Sequence, residues 1–187
     1  MSRDWPAILL EHERVVAQLR DAGAVLDRIA DTLVSAIAAG RRIYVFGNGG
    51  SAADAQHIAG ELLGRFRRDR RALPVVALTT DTSTLTAVAN DFSFERVFAR
   101  QVEALIERHD VVWALSTSGD SPNVLAAVHA ARERGAIAIG FTGASGGKLA
   151  RLCDHVLCAP HRDSDRIQEA HLLAYHYVCE RVEAAFA

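Results

Sequence analysis

The chain has 187 residues, half of them hydrophobic and about a quarter charged, which suits one domain with a sizeable core. Lys and Arg number 21 against 23 Asp and Glu, a net charge of -2, which excludes a general electrostatic pull towards nucleic acid or an anionic membrane. No apolar run approaches the roughly 20 residues that a bilayer-spanning helix needs, and the opening MSRDWPAILLEHE is too charged for a signal peptide, so a cytoplasmic location is expected.

Two helices are expected across residues 5–39. Asp4 can cap the first, Pro6 sits in its first turn, and "DAG" at 21–23 breaks the apolar periodicity before Gly40 ends the second. Strand and helix then alternate. Strands are predicted at 42–46, 74–78, 111–116, 136–141 and 155–160. Helices are predicted at 51–65, 82–89, 94–107, 122–134, 147–151 and 165–186. This alternation predicts an α/β protein: a three-layer α/β/α sandwich with a five-stranded parallel sheet, preceded by an N-terminal helical hairpin. No linker or repeat divides the chain, so residues 1–187 read as a single domain. Three cysteines without a CxxC pair read as reduced thiols. The basic run RFRRDRR, 65–71, is open to two readings, a solvated helix end or loop, and a phosphate clamp or partner surface.

In parallel sheets, ligands bind beyond the carboxyl ends of the strands. GNGGS, 47–51, follows the first strand and opens a helix, where free N–H groups and glycines suit an anion. The same residues also allow a plain capping box from Ser51 to Asp54. STSGDS, 116–121, follows the third strand and gathers four hydroxyls around Gly119, although Ser121 followed by Pro122 is also a good helix start. Two such loops point to a phosphorylated ligand.

His57 and Glu61 are four apart and share one helical face. The final helix offers Asp165, Gln168, His171 and His176 in DRIQEAHLLAYH, with an Asp165–Gln168 capping box as the plainer reading of the first two. At this point the sequence resembles the sugar isomerase (SIS) fold, and within it the sedoheptulose 7-phosphate (phosphoheptose) isomerase family. The stretches that carry the resemblance are GNGGSAADAQHIAGEL, LTAVANDFSFERVFARQVEAL, DVVWALSTSGDSPNVLAA, FTGASGGKLA and DRIQEAHLLAYH, spanning roughly residues 10–183.

The resemblance implies that Asn48, Gly49, Gly50 and Ser51 contact a sugar phosphate, that Asn90 and Asp91 line the substrate site, and that Ser116, Thr117, Ser118 and Ser121 hold the phosphate. It also implies substrate contacts from Glu61, Asp165 and Gln168. His57, Glu61, Gln168 and His176 match the metal ligands, with one Zn2+ per subunit, and Glu61 and His176 match the acid–base pair. A homotetramer is implied, with active sites at subunit interfaces and the helices of 5–39 packing on the domain and on a partner subunit. Gln168 and His176 are eight apart, about 12 Å along a regular helix, so a ligand from a neighbouring subunit or a distorted helix is expected if both hold one ion. Asp120 stands where the family commonly has Asn, placing a negative charge beside the phosphate loop. Two other readings suit the same fold: a replication regulator that associates with the initiator protein DnaA, and an isomerase or sensor for another sugar phosphate. The first is distinguished by Glu61 and His176, which that branch tends to lose.

Overall fold

The computed structural model describes residues 4–187. Five parallel strands form one sheet: β1 (Ile43–Gly47), β2 (Val75–Ala77), β3 (Val111–Ser116), β4 (Ile137–Thr142) and β5 (His155–Cys158), in spatial order β2-β1-β3-β4-β5. The helices are α1 (Trp5–Gln18), α2 (Gly23–Ala38), α3 (Gly50–Leu63), α4 (Thr82–Asp91), α5 (Ala99–Leu105), α6 (Pro122–Glu133), α7 (Leu149–Leu152) and α8 (Ser164–Ala184).

The strands are buried on both faces because their side chains alternate between two apolar layers. Ile43, Val45, Trp113, Leu115, Ile139 and Phe141 pack against α2, α3 and α8. Tyr44, Phe46, Val112, Ala114 and Ala138 pack against residues of α4, α5 and α6. This is the expected three-layer sandwich.

The break at Asp21–Gly23 is softer than expected. Leu19–Ala22 form a 3-10 turn, and Gly23 stays right-handed helical at φ -50, ψ -49, so α1 and α2 run on as one long helical arm and do not fold back as a hairpin. Without a left-handed residue at the join, nothing reverses the chain. The segment 94–107 divides into a 3-10 turn, Phe94–Arg96, and α5. Three expected caps form differently. Gly49 precedes α3 in place of Ser51, Asp163 precedes α8, and neither Asp165 nor Gln168 caps that helix. Ser121 does occupy the N-cap of α6, but its hydroxyl bonds elsewhere.

Candidate active site

The chain order reverses direction across the sheet between β1 and β3, the position where doubly wound sheets open a crevice. Gly47 pairs with Leu115, so the loops after these strands leave the sheet side by side. Gly49 takes φ +54, which favours glycine and turns the chain into α3. Asn48 and Asn123 join the two loops by a reciprocal amide pair, each Nδ2 donating to the other's Oδ1 at 2.8 Å. Asn123 is buried at the start of α6. Sequence reading passed over it because its partner lies 75 residues away.

The hydroxyl loop is internally bonded. Ser116 Oγ lies 3.0 Å from Ser121 Oγ and 3.4 Å from Ser118 Oγ, and Thr117 Oγ1 lies 3.1 Å from Ser164 Oγ at the start of α8. Asp120 accepts from the Lys148 backbone N–H at 3.0 Å, so its carboxylate is committed to the segment before α7. A cavity of about 310 Å³ beside Thr117 and Ser118 is completed by Ala144, Ser145, His161 and Arg162, which sequence reading did not single out.

Two turns along α3 from the 47–51 loop, three polar groups converge. His57 Nε2 lies 3.0 Å from Glu61 Oε1 and 3.3 Å from His176 Nε2 of α8. One candidate ligand atom from each of the three residues falls within 4.8 Å of the others. The opposite ring nitrogen of His57 is engaged from behind: Tyr175 Oη is 2.9 Å from Nδ1 and also donates to Asp54 Oδ1 at 3.4 Å. Burial raises the Asp54 pKa against the lowering effects of Tyr175 and His57. Burial, then the neighbouring His57, lowers that of His176, with Glu61 opposing, so neutral imidazole is favoured there.

The other expected residues are distributed around this seam. The Gln168 amide lies against the first turn of α3, where a Cβ added to Gly50 would meet it at 2.5–2.7 Å. Asn90 and Asp91 are exposed at the end of α4 and bond to each other at 2.8 Å. Asp165 is exposed in the first turn of α8. His171 is fully buried beneath the sheet, its Nε2 facing the Thr142 carbonyl at 3.1 Å; burial pushes its pKa down to about 4 and keeps it a neutral core residue. A second group, Glu11, His161 and Asp163, also places ligand atoms together. There the His161 Nδ1 accepts from the Asp163 N–H at 3.0 Å, so a neutral ring carries its proton on Nε2, facing Glu11 at 3.5 Å.

The two strand-end loops at the switch point and the His–Glu–His cluster farther along α3 make up the candidate site. The chain belongs to the SIS domain family, which matches residues 11–143, and within it to the phosphoheptose isomerases. A phosphoheptose isomerase from a Bradyrhizobium strain is 54% identical over 158 residues, covering 84% of this chain and 80% of that protein. The structure of phosphoheptose isomerase from Neisseria gonorrhoeae superposes with a TM-score of 0.91 at 40% identity, and that from Francisella tularensis with 0.93 at 34%. In both cases 96% of each chain is covered. The chain is accordingly a sugar-phosphate isomerase. Among the described residues no helix is long and apolar enough to cross a membrane.

Proposed function

We propose that this enzyme converts D-sedoheptulose 7-phosphate into D-glycero-D-manno-heptose 7-phosphate through an enediol, the first step towards nucleotide-activated heptoses. The observation that carries the reading is the approach of Glu61 and His176 to His57, two helical turns from the loop that opens α3. His57 lies seven positions after Gly50, about 10 Å of helix. That span suits a long sugar whose phosphate and reacting carbons lie at opposite ends. The replication-regulator reading loses its support, because both discriminating residues are present and adjacent to His57.

In this reading Asn48–Ser51 and the hydroxyls of Ser116, Thr117, Ser118 and Ser121 hold the phosphate, through backbone N–H groups and side chains that carry no charge of their own. Asn90, Asp91, Asp165 and Gln168 contact the rest of the sugar. Support for Asn90 and Asp91 comes from a small pocket where Leu85 and Phe94 meet Asn48 and Gly49, bringing their segment to the rim of the β1 loop. Glu61 takes the C1 proton and returns it to C2, while His176 moves a proton from O1 to O2. Such acid–base work contributes about 10²–10⁴-fold. Oε1 of Glu61 faces His57, which leaves its second oxygen for carbon and eases the conflict between ligand and base.

The donor set of two imidazoles and a carboxylate fits zinc. We propose Gln168 as the fourth ligand, with one ion per subunit. Bound zinc supplies Lewis-acid polarisation of the substrate carbonyl. His57, Glu61 and His176 meet within one chain with α8 unbroken, so these three need no second subunit. A cytoplasmic location accords with three free cysteines. A homotetramer, with the helices of 5–39 packing on a partner, accords with exposed Trp5, Leu9 and Leu10 on α1 and Leu172, Leu173 and Tyr177 on α8.

Purified protein is expected to turn over sedoheptulose 7-phosphate with zinc and to lose that activity to a chelator. Turnover restricted to pentose or hexose phosphates, or none at all, would overturn the substrate assignment. Gly50→Ala tests Gln168 separately. The new methyl must displace the Gln168 amide, and zinc affinity, read by competition with a chromophoric chelator, should fall about tenfold or more with the fold retained. Unchanged affinity would remove Gln168 from the ligand set.

A further inference from the structure

We propose that Glu183 is a positioning residue for the reaction: its carboxylate gathers the backbone of residues 66–68, so that Phe66 walls His176 and Arg70 fixes the turn of α3 that carries Glu61. This rests on the acid–base reading above.

Glu183 lies near the end of α8 and is 1% exposed. Oε1 accepts from the Phe66 N–H at 2.8 Å, and Oε2 accepts from those of Arg67 and Arg68 at 2.7 and 2.9 Å. Three successive backbone donors converging on one buried anion form an anion nest, here occupied by the protein's own carboxylate. Burial alone would raise the pKa of this carboxyl. The three N–H groups and Arg70 override it and hold the group below the usual carboxylate range.

Arg70 is the second arm. Its Nε lies 3.6 Å from Glu183 Oε1, and neither side chain is more than 1% exposed. Its Nη2 donates to the Glu61 carbonyl at 2.8 Å, and its Nη1 to those of Gly64 and Arg71 at 2.8 and 3.0 Å. The guanidinium therefore satisfies carbonyls that the end of α3 leaves without helical partners. Most charged side chains of the basic run, Arg65, Arg67, Arg68, Asp69 and Arg71, are exposed, as the reading of a solvated helix end or loop expects. The backbone of the run and Arg70 serve the α3–α8 seam, and Arg67 pairs with Glu180 at 2.9 Å.

The consequence for the site follows from Phe66. Its ring centroid is 5.5 Å from that of His176, which in turn faces His57 across the seam. Glu61 and His176 sit on different helices, and this strut joins the two just beyond them. A misplacement of about 1 Å at reacting groups can cost about 10²-fold in rate. The phosphate loops lie at the other end of α3, so the loss should fall on kcat and spare KM.

The test compares Glu183→Gln and Phe66→Leu with the unmodified protein, at a temperature where circular dichroism shows all three folded. The amide introduced by Glu183→Gln offers one acceptor oxygen where three N–H groups converge. In that variant, amide exchange at Phe66, Arg67 and Arg68 should become fast. Its kcat for sedoheptulose 7-phosphate should fall about tenfold or more, with KM changed less than about threefold. Phe66→Leu should keep the amides protected and the melting temperature nearly unchanged, yet lose kcat similarly. Full kcat in either variant, or protected amides in Glu183→Gln, would overturn the proposal. Absence of turnover by the unmodified protein would count against the reaction reading alone. In that case fast amide exchange with weakened zinc binding in Glu183→Gln would still carry the strut, and unchanged values would sink it.

Discussion

Glu61→Gln should lower kcat by about 10²–10⁴-fold while KM for the sugar phosphate stays within a few-fold. Glutamine keeps the length of the side chain and an oxygen that can face His57 as Oε1 does now, at 3.0 Å. It loses the charge and the basicity. The loops proposed to hold the phosphate, at the first turn of α3 and after β3, are untouched by the change. Steady-state kinetics over a zinc series separates the two roles assigned to this residue. If the carboxylate acts chiefly as a ligand, raising zinc restores turnover. If it is the base that moves the carbon proton, saturating zinc leaves the defect in place. We expect the second result, because one carboxylate oxygen is turned towards the His57–His176 pair and the other is left for substrate. His176→Ala, assayed beside it, should also lose turnover. Retention of most activity in both variants would move the chemistry elsewhere.

What the sequence disclosed, and what it withheld, follows from the range of the interactions. The strands were legible because β1 and β3 are short apolar runs bounded by turn residues, and the pairing of His57 with Glu61 because it is local to one helix. That these two meet His176, 119 residues away from His57, came from family resemblance and not from spacing. Asn123 and Glu183 carried no local signal. An asparagine after Pro122 and a glutamate near a helix end look like surface residues until their partners, 75 and more than 100 residues distant, are brought against them. The misread N-terminal hairpin has the opposite cause. "DAG" is a strong local break, but Gly23 tolerates the right-handed region as readily as the left, and the long helical arm prevails. Asp120 shows the same limit: its charge was visible, but its bond to the Lys148 backbone was not.

Gly119→Ala should have the largest effect on stability, a loss of about 3 kcal/mol, with a rise of tenfold or more in KM. Gly119 stands at φ +70, which costs an alanine about 1–2 kcal/mol. A Cβ there would lie 2.3 Å from the Gly146 carbonyl oxygen and 2.7 Å from Thr142 Oγ1. The first is backbone and the second is buried, so neither can swing aside as a flexible side chain would, and overpacking of this kind typically costs about 1–3 kcal/mol. The loop would have to lift from residues 143–147. That movement would break the bonds from the Leu149 N–H to the Gly119 carbonyl at 2.9 Å and from the Lys148 N–H to Asp120 at 3.0 Å. It would also carry Ser118 and Ser121 away from Ser116, which is why KM should rise with the loss of stability. Gly60→Ala is the matched control. It lies inside α3, exposed, with nothing within 4 Å of an added Cβ, and should stabilise the helix by about 0.5–1 kcal/mol. Urea unfolding with both variants decides the matter. A Gly119→Ala protein as stable as the control, with unchanged KM, would mean that the hydroxyl loop does not depend on its glycine contact with the 143–147 segment.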